Sequence, residues 1–312
     1  MEHSRLLPFP VALRRTLSEN LAEQSIEFGV PAYNEGKGVV ETLASIHHAA
    51  QEIGVPNYAI ILSDSSVTRE TVEAAGTWAT LTGVRIRIDR SEQRRSPKEA
   101  LNNIFDLAEA DALVLVDADV LIPSSSLAHL LFDLIDPPPP DIAVGSAGPD
   151  PAFRALRYRA SIWQMNVTRR VAARRPRKAI RSEGAFWGTR KAFYRAYRFP
   201  IGTGSIADDV ELARHARREG LHVRNSWRAE ARKKPAGSLE DFYIQTYRSY
   251  AASGGLDRRP RDLRDVFLEA SSDPLGALMY LLSRGWAWRR ARRRPDAFEE
   301  RWLVAESTKR RR

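Results

Sequence analysis

Short runs made almost wholly of aliphatic residues alternate with helix-patterned stretches through the first 116 residues, and this leaves few folds open. IEFGV (26–30), YAIIL (58–62), GVRIRI (83–88) and ALVLV (112–116) read as strands. Between them, 36–54 sets Val39, Val40, Leu43, Ile46 and Ala50 at helical spacing, 68–81 is helix-like, and 97–110 carries Pro97 in its first turn. Strands that apolar are buried on both faces, and strands separated by helices form parallel βαβ units. The expected class is α/β, a mostly parallel sheet flanked by helices. On such sheets ligands lie beyond the carboxyl ends of the strands, so chemistry is expected in the residues that follow each strand.

Three strand ends are informative: Pro31-Ala32-Tyr33-Asn34-Glu35, Ser63-Asp64-Ser65-Ser66 and Asp117-Ala118-Asp119. All three should converge on one edge of the sheet. Asp117 and Asp119 have no Lys or Arg beside them in sequence, and two adjacent carboxylates repel unless a cation compensates. Mg²⁺ and Mn²⁺ take oxygen ligands, commonly one or two carboxylates with substrate phosphate and water. Otherwise the pair caps the helix beginning near Ser124 or stays solvated in a turn.

Further along, Pro137 to Pro140 mark an extended connection, 151–175 reads as a long amphipathic helix, and 184–194 is a Gly-flanked aromatic segment. The stretch 207–220 is a helix that starts with acids and stops at Gly220. With 43% hydrophobic and 28% charged residues the composition is that of a soluble globular chain. The absence of Cys excludes a disulfide framework, a thiolate zinc site and a Cys nucleophile, and suits a reducing compartment such as the cytoplasm. No signal peptide is read at the N-terminus, and no segment has the roughly 20 apolar residues that span a bilayer.

With these residues in place the chain resembles a family 2 glycosyltransferase of the GT-A, Rossmann-like fold. The resemblance is carried by VPAYNEG (30–36), LSDSS (62–66), LVDADVLIP (115–123), ADDVELARHARREG (207–220) and Gln245-Thr246-Tyr247-Arg248, in the family's order over roughly 26–250. It implies a nucleotide-sugar-binding half at 25–136 and an acceptor-binding, catalytic half at 141–255, between an N-terminal extension (1–24) and a helical, basic C-terminal extension (256–312). It places Pro31, Tyr33, Glu35 and Asp64 on the nucleotide base and ribose, and a basic residue, Lys98, Arg94 or Arg95, on the phosphates. It assigns Asp119 as direct ligand of Mn²⁺ or Mg²⁺ and Asp117 to the ribose or the metal's water. Asp209, seconded by Asp208, is the implied general base, Gln245 and Arg248 face acceptor and diphosphate, and Trp187 lines the sugar or acceptor pocket or packs in the core.

The implied reaction is an inverting transfer from a nucleotide-diphosphate sugar, with UDP-sugars favoured, to a hydroxyl of a glycan or lipid-linked acceptor in polysaccharide or glycolipid assembly. The alternative is a catalytically silent nucleotide-binding scaffold of the same fold. Ser249 stands where processive relatives carry Trp, which points away from processivity.

The net charge of +10 is concentrated in Arg289–Arg294 and Lys309–Arg312. Segment 273–294 sets an apolar cluster with Trp286 and Trp288 against the first block. That is the composition of a helix lying on anionic lipid, peripheral to the inner face of a membrane. It is equally that of a helix packed on the domain with its basic end solvated. No recognised nucleic-acid module accompanies the arginines.

Overall fold

A computed structural model describes residues 17, 19–153, 155–174, 185–201, 207–238, 240–245, 270, 271 and 273–293. The elements follow in the order β1 (Ile26–Ala32), α1 (Val39–Ile53), β2 (Ala59–Asp64), α2 (Glu70–Thr82), β3 (Ile86–Arg90), α3 (Pro97–Leu107), β4 (Ala112–Val116), β5 (Val120–Leu121) and α4 (Ser124–Ile135). Then come β6 (Ile142–Pro149), α5 (Arg159–Arg174), β7 (Phe186–Arg190), α6 (Lys191–Ala196), α7 (Asp208–Arg218), β8 (Val223–Lys233) and α8 (Pro274–Arg293). Among the described residues one sheet of eight strands runs in the order β3-β2-β1-β4-β7-β6-β8-β5. β1 pairs in parallel with both β2 and β4, β2 with β3, while β7 is antiparallel to β4 and β6.

The aliphatic runs are strands because both of their faces are buried. Along β4, Ala112, Val114 and Val116 enter a core shared with α1, α2 and α4, whereas Leu113 and Leu115 enter a second core on the other face. That second core holds Leu101, Ile104 and Phe105 of α3, Phe193 and Tyr194 of α6, and Leu212 and Ala216 of α7. Gly29 lets α3 lie this close to β1, since a Cβ there would stand 2.5 Å from Ile104 Cγ2 and 2.6 Å from Leu115 Cδ2. Leu17 and Leu21, from the segment expected as an N-terminal extension, are buried in the first core.

The chain divides into two compact units, one of 1–147, 180–201 and 212–232, the other of 148–179, 202–211 and 233–312. The first is organised by the sheet, and the prolines 137–140 connect α4 to β6 within it. The second has its own small core of Ala160, Trp163, Ala236, Phe242, Ala277 and Tyr280.

Candidate active site

Strand order reverses at β1, with β2 and β3 on one side and β4 on the other. Such a reversal opens a crevice beyond the strand ends. In register, Pro31 lies opposite Ser63, Ala32 opposite Asp64, and Asp64 opposite Arg90. On the β4 side the last paired position is Gly29 with Leu115, so Pro31 and Asp117 each follow it by two residues. The first unit thus brings Pro31, Asp64 and Asp117 to one edge of the sheet.

The two loops on the β1–β2 side are latched together. Asn34 and Gly36 adopt left-handed backbone conformations, with φ of 56° and 55°. The Asn34 N–H donates to Ser66 Oγ at 2.7 Å, the Val67 N–H to Asn34 Oδ1 at 2.9 Å, and the Gly36 N–H to Thr71 Oγ1 at 2.9 Å. The Ser66 hydroxyl donates to Asp64 Oδ1, so in its 3.1 Å contact with Thr71 the threonine is the donor. Glu35 is buried and heads a single 3₁₀ turn, its carbonyl accepting the Gly38 N–H at 3.1 Å. Tyr33 is half-buried, with the Arg94 guanidinium 4.4 Å from its ring centroid.

Asp64 is fully buried. Its Oδ1 takes both the Ser66 hydroxyl and, at 3.3 Å, the Ser66 N–H, while its buried Oδ2 has no hydrogen-bond partner. Burial pushes its pKa above the ordinary carboxylate value; the Ser66 bonds and the charges of Arg90 and Arg95 pull the other way without cancelling it. Arg90 Nε is likewise buried and without a partner. An acceptor and a donor left unsatisfied in a closed interior are costly, and both belong to the register pair at the strand ends.

Arg95 is committed elsewhere, since it pairs with Asp89 and donates to Ser63 Oγ at 3.1 Å, with Asn103 bonded to the same two groups. Lys98 sits in the first turn of α3, beside the Ser96–Glu99 capping box and after Pro97. It is 9% exposed and makes no hydrogen bond or ion pair among the described residues. Of the three basic residues expected near the phosphates, it is the one not engaged by a neighbour.

The acidic turn after β4 is pinned through its backbone. The Asp117 N–H donates to the Ala185 carbonyl at 3.0 Å, the Asp117 carbonyl accepts from Val120 at 3.1 Å, and Thr42 Oγ1 of α1 donates to the Ala118 carbonyl at 2.8 Å. Ala118 is buried between the partly exposed Asp117 and Asp119. The helix that follows begins after Pro123 without a side-chain cap, so neither acid caps it. Among the described residues no three His, Asp or Glu side chains form a ready metal cluster. Two carboxylates on a pinned turn, with no soft ligand, suit a hard divalent ion that completes its shell with phosphate and water.

Asp208 and Asp209 open α7 and belong to the second unit. Asp209 Oδ1 accepts the Val210 N–H at 2.7 Å, and the helix carries acids in its first turn and His215, Arg217 and Arg218 in its last, the order its dipole favours. Gln245 ends the helical residues 240–245 of the same unit, and Arg248 lies outside the described residues. Trp187 has to be corrected: it is 1% exposed on β7, packed edge-on against Phe105 with 6.3 Å between ring centroids, and presents no face to a sugar. Its aromatic, Gly-flanked surroundings in sequence are equally the signal of a central strand. The sequence reading also misses Thr42 and Arg90; one is read only from its contact across 76 residues, the other only from strand register.

The fold is similar to that of several solved glycosyltransferases. The mannosyltransferase PcManGT of Pyrobaculum calidifontis, solved with GDP-Man and Mn²⁺, is 19% identical, with 90% of this chain and 86% of that one covered at a TM-score of 0.55. Glucosyl-3-phosphoglycerate synthase of Mycobacterium tuberculosis, in complex with Mn²⁺, UDP and glucosyl-3-phosphoglycerate, is 19% identical over 81% of this chain and 85% of that one, at 0.52. No curated protein matches the chain in sequence. The model of the family described as "Glycosyl transferase family 2" matches residues 28–198, more than half of the chain, and takes in the three strand ends and Lys98. The chain therefore belongs to glycosyl transferase family 2 and is a glycosyltransferase of GT-A fold.

Proposed function

We propose that the protein transfers a sugar from a uridine-diphosphate sugar to an acceptor hydroxyl, with inversion at the anomeric carbon and with a divalent metal. The observation that carries this reading is the orphaned Oδ2 of Asp64 at the β1–β2 edge of the crevice. With Oδ1 spent on Ser66, one buried acceptor remains, beside the unsatisfied Arg90 Nε. A uracil ring has a single N–H flanked by carbonyls, which fits one acceptor with a donor nearby. Guanine offers two adjacent N–H donors and would leave one without a partner, at a cost of about 1–3 kcal/mol.

Asp119, with Asp117, would hold Mn²⁺ or Mg²⁺; when bound, the ion supplies Lewis-acid neutralisation of the departing diphosphate. Lys98 adds a fixed positive charge from the first turn of α3, and Pro31, Tyr33 and Glu35 form the wall against the base and ribose. Asp209 accepts the proton of the acceptor hydroxyl as its oxygen bonds to the anomeric carbon, and the bond from that carbon to the diphosphate oxygen breaks with its electron pair. Asp208, Gln245 and Arg248 are assigned to the acceptor and diphosphate side. A charge that grows only as the diphosphate leaves is stabilised selectively in the transition state.

Thermal shifts of the full chain with UDP, GDP or dTDP in the presence of Mn²⁺ test the donor. UDP should give the largest shift, and Asp119→Asn should remove its metal dependence and slow Mn²⁺-dependent UDP-sugar hydrolysis. No shift with any nucleotide would sink the reading. A UDP shift without hydrolysis, unaffected by Asp119→Asn, would identify a nucleotide-binding scaffold instead.

A further inference from the structure

One surface of the second unit has no part in the reaction above. Helix α8 turns Ala277 and Tyr280 inward, Tyr280 packing against Trp163 of α5 at 4.7 Å between centroids and against Phe242 at 6.2 Å. Its outer face is apolar and largely exposed: Leu275, Leu278, Leu281, Leu282 and Trp286 are 41–65% exposed, with Trp286 at the edge of that face resting on the Tyr243 ring at 3.9 Å between centroids. Leu275, Leu278, Leu282 and Trp286 follow one another at steps of three, four and four, which places them on a single stripe about 16 Å long. Single exposed leucines are ordinary, but a contiguous stripe marks a contact surface.

The charge beside the stripe selects its occupant. Residues 274–294 contain six arginines, Arg284, Arg289, Arg290, Arg292, Arg293 and Arg294, and no Asp or Glu. Arg289 is exposed and one helical turn beyond Trp286, so the apolar stripe runs directly into the basic end. A second copy of the chain would bring another set of arginines and no carboxylate from this segment to meet them. A surface of negative headgroups over hydrocarbon satisfies both halves at once, with leucines entering the acyl boundary, the indole at the interface and guanidinium groups on phosphates. No helix among the described residues is long and apolar enough to cross a membrane, so the contact is superficial.

We infer that α8 docks the enzyme on an anionic phospholipid surface through Leu275, Leu278, Leu282 and Trp286, with the following arginines held at the headgroups. The test is co-sedimentation of the full chain with phosphatidylcholine vesicles with and without phosphatidylglycerol. Binding should require the anionic lipid, and Leu278→Glu with Leu282→Glu should weaken it by at least about tenfold, as should Arg289→Gln with Arg290→Gln. Both pairs are exposed or at the basic end, and an unchanged thermal midpoint verifies the fold of each variant. Absence of binding to either vesicle overturns the inference. So does binding that the glutamate pair leaves intact, which would be electrostatic adsorption alone, and so does a concentration-dependent dimer abolished by the same pair.

Discussion

Replacing Asp64 with Asn changes one buried oxygen into an NH₂ group while preserving shape. The amide oxygen retains the two bonds from Ser66, because both donors converge on Oδ1. The NH₂ then occupies the place of the buried Oδ2, a donor where the N–H of the base is proposed to donate. A hydrogen bond to a charged group contributes about 1.5–3 kcal/mol, so UDP affinity should fall roughly 10- to 150-fold. For the chain without nucleotide, two terms oppose each other: a desolvated charge is removed, and an unsatisfied buried NH₂ is created. Its melting midpoint should therefore move by only a few degrees. Titration calorimetry with UDP and Mn²⁺, beside a thermal melt of the same sample, reads both quantities. Unchanged UDP affinity in a folded Asp64→Asn variant would refute the role of Oδ2, whatever happened to turnover.

The raised pKa of Asp64 gives a pH dependence: between the unfolded carboxylate value and the higher folded one, the native chain holds more protons than the unfolded chain. Stability should fall as pH rises through that window, while UDP affinity should rise as Oδ2 ionises, and Asp64→Asn should flatten both curves in acid melts and pH-dependent titrations. Asp209→Asn should lower kcat for transfer by about 10²–10⁴-fold with little change in donor KM, measured by steady-state product release; an equal loss in KM would place Asp209 in binding. Trp187→Ala should destabilise the fold by about 3–5 kcal/mol in urea melts, and donor selectivity per folded molecule should be unchanged. Thr42→Val should cost about 1–3 kcal/mol and weaken Mn²⁺ binding to the UDP complex, because the buried Ala118 carbonyl loses its donor.

Three strands of the parallel half are readable because they are buried on both faces: β4 and residues 59–62 of β2 are unbroken apolar runs, and the apolar pattern of β1 is interrupted by Glu27. β3 lies three residues later at its start than GVRIRI implies, since neither of its faces is fully covered. The antiparallel half does not read as strands. β8 is VRNSWRAEARK, in which buried Ser226, Ala229 and Ala231 are small or polar, so no hydrophobic period announces it. The helix expected over 151–175 begins as regular helix only at Arg159, after a 3₁₀ turn at Leu156–Tyr158. At the site, acids directly after aliphatic strands are legible, because chain direction alone carries them to the sheet edge. The hydrogen bonds that hold them are not, since Thr42 and Ala118, or Asn34 and Ser66, meet only after folding. Trp187 shows the converse, an aromatic signal that strand pairing turned inward.

The shared hydroxyls of Ser66 and Thr71 bear on how donor preference can drift. Each of these oxygens serves two loops, so altering Asn34, Ser66 or Thr71 singly strands a partner on the opposite loop. Substitutions there should be strongly epistatic, with double variants departing from the sum of the singles. A laboratory lineage selected for another nucleobase would have to pass through replacement of the whole trio, and libraries that vary those positions one at a time should return only weakened parents.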